Sequence, residues 1–97
     1  MNHYLLKDHW ARLVNEFKDS EREKGQDGYA TENLAMDILD YARLTRFRQW
    51  TLFSQKRGEE FEKMMTRLEQ RGHSLEAARR FLEEEELWKT TLELAEQ

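Results

Sequence analysis

The sequence predicts an all-α protein, and three observations carry that expectation. Apolar residues recur at three- and four-residue steps through most of the chain. No stretch alternates apolar and polar residues as a half-buried strand does. Proline, which breaks helices by removing an N–H donor and clashing with the preceding turn, is absent from all 97 residues. The strong punctuation left is Gly25, Gly28, Gly58 and Gly72.

Between those marks each element has its own justification. Over residues 3–24, Leu6, Trp10, Leu13, Val14 and Phe17 form one apolar helix face. The segment "KGQDGYA" follows as a polar loop with two glycines. Thr31 is suited to cap the next helix, with Glu32 at its positive end. Leu34, Ile38, Tyr41, Ala42, Phe47 and Trp50 carry that pattern on, and it resumes after Gly58 with Phe61, Met64, Met65 and Leu68. One glycine costs a helix only about 1 kcal/mol. The expectation is therefore one long central helix over roughly 31–71, kinked near Gly58 if anywhere and about 60 Å long. Gly72 suits its C-terminal stop and Ser74 the N-cap of a last helix bearing Ala78, Phe81, Leu82, Trp88, Leu92 and Ala95.

Length allows one domain, residues 1–97, with a small core. Only 38% of residues are hydrophobic and 37% are charged, which suits slender helices with one apolar stripe each. A 60 Å helix cannot cover its own stripe, so the expected architecture is an elongated helical dimer, with a monomeric three- or four-helix bundle as the alternative. The chain has no cysteine, as cytosolic proteins often do not, and no apolar run approaching the ~18 residues of a membrane span. Its first residues, "MNHYLLKDHW", carry charges where a signal peptide would be apolar. The expected compartment is the cytoplasm.

Catalytic chemistry is not expected. Ser20, Ser54 and Ser74 lack the strained nucleophile context, and "GQDG" has neither the spacing nor the lysine of a phosphate loop. His3, His9 and His73 form no metal-binding pair, and Gly72 separates Glu69 from His73, so neither a metal nor a cofactor is expected. Two charge features remain. "ARLTRFRQWTLFSQKR", residues 42–57, places Arg43, Arg46, Arg48, Lys56 and Arg57 among Phe47, Trp50 and Phe53 with no acid. Such a stretch can hold phosphates and stack bases, or bury its aromatics and expose its arginines. The second feature is Glu83, Glu84, Glu85 and Glu86, between Phe81–Leu82 and Leu87–Trp88. These acids read either as a solvated helix face or as carboxylates set where a basic groove would otherwise hold DNA phosphates.

"LEQRGHSLEAARRFLEEEELW" resembles the C-terminal part of the Gam family, the host-nuclease inhibitors of lambda-type phages. In that family a leucine and a Q-R pair precede a glycine; a serine, an arginine, a phenylalanine, three acids and a second aromatic follow. Here these are Gly72, Ser74 and Arg80, with Leu82 at the first aromatic, Glu83, Glu84 and Glu85 as the acids and Trp88 as the second aromatic. Upstream, "DYARLTRFRQWTLFSQKRGEEFEK" is similar to the family's Tyr-containing helix, with Trp50 and Glu59–Glu60 in place. The two patches cover about half the chain. The family's extra residues between them, including a proline, are missing, and the first 30 residues have no counterpart. The resemblance implies an all-helical dimer that inhibits a RecBCD-type exonuclease–helicase in the host cytoplasm, competing with a DNA end without turnover. Glu83, Glu84, Glu85 and Glu86 would then stand in for phosphates, with Trp88 among the residues fixing the helix that displays them. A nucleic-acid-binding module using Arg43, Arg46, Arg48, Trp50, Lys56 and Arg57, or an adaptor helix pair, are the alternatives.

Overall fold

The apolar stripe of the first segment folds as expected. In a computed structural model that describes residues 3–45 and 57–97, helix α1 runs His3–Glu23 and buries Leu6, Trp10, Val14 and Phe17 on one side. It stops at Gly25, whose φ of +89° is open to glycine without a Cβ penalty. There the Gly25 N–H donates to the Arg22 carbonyl and the Gln26 N–H to that of Glu21, the paired bonds of a Schellman stop.

Helix α2, Gly28–Thr45, starts earlier than the sequence suggested. Its cap is Asp27, whose carboxylate accepts the Tyr29 N–H at 3.3 Å and whose carbonyl accepts the Thr31 N–H at 3.0 Å. Thr31 is instead buried in the first turn, its hydroxyl donating to the same carbonyl.

The long central helix does not exist. α2 ends at Thr45, and a separate helix, α3, begins at Arg57 and runs to Gln70. In a continuous helix Asp37 and Arg71 would be about 50 Å apart; here Arg71 Nε lies 2.8 Å from Asp37 Oδ2. The Tyr41 hydroxyl likewise donates to Glu60 Oε2 at 3.5 Å. α3 therefore lies back against α2. Gly58 is neither a kink nor a stop but the second residue of α3, and Glu59–Glu60 complement the positive end of that helix. Phe47, Trp50 and Phe53 lie outside the described residues.

Gly72 ends α3 as expected. Its φ is +89°, and Gly72 and His73 N–H donate to the carbonyls of Glu69 and Leu68. Ser74 caps helix α4, Leu75–Glu83, by accepting the Ala77 N–H at 3.2 Å. The last element is not one helix but two: α4 breaks at Glu84, and α5 runs Glu85–Ala95.

Among the described residues these five helices are joined by no strand. α2 packs against each of the others, and α1 lies against α5. Phe81 of α4 is fully buried and meets Phe17 of α1 edge to face, ring centres 5.4 Å apart. Met64 and Leu68 of α3 and Leu87 and Leu92 of α5 complete the same core. The Cα extents are 35 × 33 × 19 Å and the radius of gyration is 12.9 Å, close to the ~13 Å of a folded 100-residue domain. An elongated shape is thus overturned, and with the 60 Å stripe goes the reason for expecting a second chain to cover it.

Further polar links join the helices around this core. Trp10 Nε1 donates to Thr91 Oγ1 at 2.9 Å. Glu21, 1% exposed, receives both Arg80 Nε at 2.7 Å and Arg80 Nη2 at 2.9 Å. Asp37 accepts from Arg71 and pairs with His73 Nε2 at 2.6 Å, tying the α3–α4 turn to α2. Burial alone would raise the Asp37 pKa, but the bonds from Arg71 and His73, with their positive charge, bring it below 3.8. Near the α2–α3 contact, burial and then the Glu60 charge raise the Tyr41 phenol above its ordinary value.

Two outcomes follow from these links. Arg80→Ala strands the Glu21 carboxylate and should lower unfolding free energy by about 3 kcal/mol in urea titration, whereas the double replacement of Glu21 and Arg80 by methionine should restore most of that loss. Asp37 has a depressed folded-state pKa, so its stabilisation is full above 3.8 and is lost as pH falls through the lower folded value. Asp37→Asn should therefore flatten the acid limb of stability below pH 4 relative to the parent chain, read by thermal melts across pH.

Candidate partner-binding surface

The four-glutamate run sits at a helix junction. Glu84 has φ −76° and ψ 95°, outside the helical region; its N–H closes α4 on the Arg80 and Phe81 carbonyls, and its carbonyl opens α5 by accepting the Trp88 N–H at 2.8 Å. Glu84 is thus both the last cap of one helix and the first cap of the next, and its side chain makes no capping bond. Glu85 and Glu86 occupy the first turn of α5, where the helix dipole favours negative charge. Part of the run therefore has a purely local reason to be acidic. The single last helix expected from the sequence is replaced by two that meet in a bend at Glu84.

That bend divides the four acids. Glu84 and Glu86 border a groove of about 330 Å³ against α1, while Glu83 and Glu85 are exposed but do not line it. The floor of the groove is apolar, made by Leu13 and Phe17 of α1 and Leu87 of α5, and α1 adds Glu16 and Ser20 to the rim. Among the described residues neither Glu16 nor Glu84 has a cationic partner. Glu86 faces His9 Nε2 at 3.5 Å. Arg12 can only donate, so its 2.8 Å contact makes His9 Nδ1 an acceptor and leaves the ring proton on Nε2, toward Glu86. Behind the run, the Arg80 guanidinium is held charged, its pKa raised by the hydrogen bond it donates to Glu21 with the charges of Glu76 and Glu83 adding to it.

The apolar neighbours of the run serve the core. Phe81 and Leu87 are buried, and Leu82 and Trp88 are half-buried against the same cluster. The Trp88 ring packs on Phe61, centres 5.9 Å apart. Trp10, which could have served as a docking anchor, is buried and bonded to Thr91. Of the basic stretch, Arg43 is exposed in the last turn of α2 and Arg57 opens α3. Arg46, Arg48, Trp50 and Lys56 lie outside the described residues. No group of three or more potential metal ligands occurs among the described residues.

Glu16 is the functional candidate that sequence reading missed. Its signal is only its place one turn from Leu13 and Ser20 on α1, which becomes meaningful once α1 is known to lie against α5. No family model matches the chain, and no curated protein or solved structure is significantly similar to it. The likeness to the Gam family therefore rests on the residues quoted above.

A shorter acid at the junction would add the capping bond that Glu84 does not make. Glu84→Asp should keep the charge of the groove and stabilise the chain by about 0.5–1 kcal/mol, seen as a rise of roughly 4 °C in melting temperature.

Proposed function

We propose that this chain is a non-catalytic binding protein that inhibits a DNA-processing enzyme by occupying the basic surface on which that enzyme holds DNA. The observation that carries the reading is the groove between α1 and the α4–α5 junction, where Glu16, Glu84 and Glu86 surround an apolar floor. Lysine and arginine side chains lay aliphatic stems on apolar surface while their charged ends seek carboxylates. A groove of this composition suits the side chains that otherwise grip phosphates. The Gam-like order of Gly72, Ser74, Arg80 and the acids supports a RecBCD-type exonuclease–helicase as the target. Inhibition is by competition for the DNA end, and it needs no cofactor.

The bend at Glu84 sharpens this reading. Glu16, Glu84 and Glu86 are the working carboxylates, and Glu83 and Glu85 contribute mainly to the long-range field that speeds encounter.

The test is a nuclease-protection assay with duplex ends beside a gel-shift assay. Lysine replacement of Glu16, Glu84 and Glu86 together should weaken inhibition by about tenfold or more, while the same replacement of Glu83 and Glu85 should change it by about threefold or less. Circular dichroism should show both variants folded. Inhibition should also fall less steeply with salt than DNA binding to the same enzyme, because helix-borne carboxylates release few condensed counterions. Full inhibition by the folded triple variant would overturn the reading. Salt-sensitive DNA binding by the chain itself would assign the function to the basic stretch instead, and self-association with neither activity would assign an adaptor role.

A further inference from the structure

A second cavity lies away from the acidic groove, between the α1–α2 loop and the α3–α4 turn. Its volume is about 280 Å³, and no acidic residue lines it although the chain carries 20. Leu34 and Ala77, both buried, form its apolar side. Its polar side is built where two helices begin. Ala30 lies in the first turn of α2 and Ser74 caps α4, so both positive helix ends face one space. Asp27 accepts the N–H groups of Tyr29 and Thr31, while that of Ala30 has no acceptor among the described residues. The Gln26 amide, which also lines the cavity, has no hydrogen bond to any described residue.

His73 supplies the observation that points to a ligand. Its side chain is 9% exposed, and Nε2 is 2.6 Å from Asp37 Oδ2. Asp37 is ionised and can only accept, so Nε2 carries the proton and Nδ1 of the neutral ring is an acceptor. Nδ1 has no partner among the described residues. No buried side-chain nitrogen or oxygen among them is left unpaired, so Nδ1 is reached from open space, and the open space that His73 borders is this cavity.

The geometry points to a binding site for a short hydroxy acid. Its carboxylate lies toward the Gln26 amide, the Ser74 hydroxyl and the Ala30 N–H, its hydroxyl donates to His73 Nδ1, and its hydrocarbon rests on Leu34 and Ala77. The polarity of each group selects this class. Two helix ends and these donors suit an anion. A lone acceptor on a side chain so far buried needs a donor on the same molecule. A phosphate, with its denser charge, would be matched by arginine or lysine, and neither lines the cavity. At ~30 Å³ per water, the space holds about nine non-hydrogen atoms. The inference stands without the proposed inhibitory role, which uses the groove between α1 and the α4–α5 junction.

The probe is lactate, titrated against isotope-labelled chain and read by amide NMR shifts. It should shift Ala30, His73 and Ala77 saturably, with a Kd on the order of 1 mM for so small a molecule. Propionate, which lacks the hydroxyl, and propylene glycol, which lacks the charge, should each bind at least about fivefold more weakly. Gln26→Glu keeps the shape of the side chain and puts a carboxylate in the cavity. It should weaken lactate binding by about tenfold or more with an unchanged melting temperature. Gln70→Glu, the same change at an exposed position of α3, should alter binding by less than about twofold. No saturable shift up to about 50 mM lactate overturns the inference. So does propionate binding as tightly as lactate, full affinity in Gln26→Glu, or saturable shifts confined to residues outside the cavity.

Discussion

The fold depends most on the pairing of Glu21 with Arg80. Glu21 does two jobs from one buried position. Its backbone carbonyl accepts the Gln26 N–H that closes the stop of α1, and its carboxylate holds the Arg80 fork of α4 in two bonds. A buried carboxylate is tolerated only when paired, so α4 has to approach α1 at this point and no other. Phe17, one turn before Glu21, then meets Phe81, the residue after Arg80. With α4 fixed there, the junction at Glu84 and the start of α5 are carried to the side of α1, and the groove between them follows.

The helical class, the face of α1, the stop at Gly72 and the cap at Ser74 were legible because each is written in a local code. Periodicity, left-handed glycine and side-chain capping act within a few residues. The failures share a cause as well. Gly58 and the pattern from Phe61 onward looked like continuation because periodicity does not distinguish one helix from two that share an apolar phase. The acids Glu59 and Glu60 were the signal of a new start. The break at Glu84 had no such signal, since glutamate is a good helix former and a poor cap. Asp27 and Thr31 are both capping residues, and only the burial of Thr31 in the core decides between them.

The candidate site was half legible. The run from Glu83 to Glu86 is visible as composition, but its division into two groove-lining and two outlying acids arises from the bend. Glu16 belongs to the site only through tertiary packing. Trp10 and Phe81 stand on apolar helix faces in the sequence and lie in the core, as does Leu87, so that contact with a partner rests on carboxylates and the shallow apolar floor rather than on a projecting aromatic.

The hydrogen bond from Trp10 to Thr91 spans 81 positions of sequence. It joins α1 to α5. While the chain is still being translated, the apolar face of α1 has α2 and then α4 to lie on, and its contact with α5 must wait until α5 has left the ribosome. Core closure therefore waits for α5, and nascent chains carry an uncovered tryptophan face in the interval. A helical domain of this topology is exposed to chaperone capture or misassociation until that point, a burden that a bundle closed only between neighbouring helices would escape.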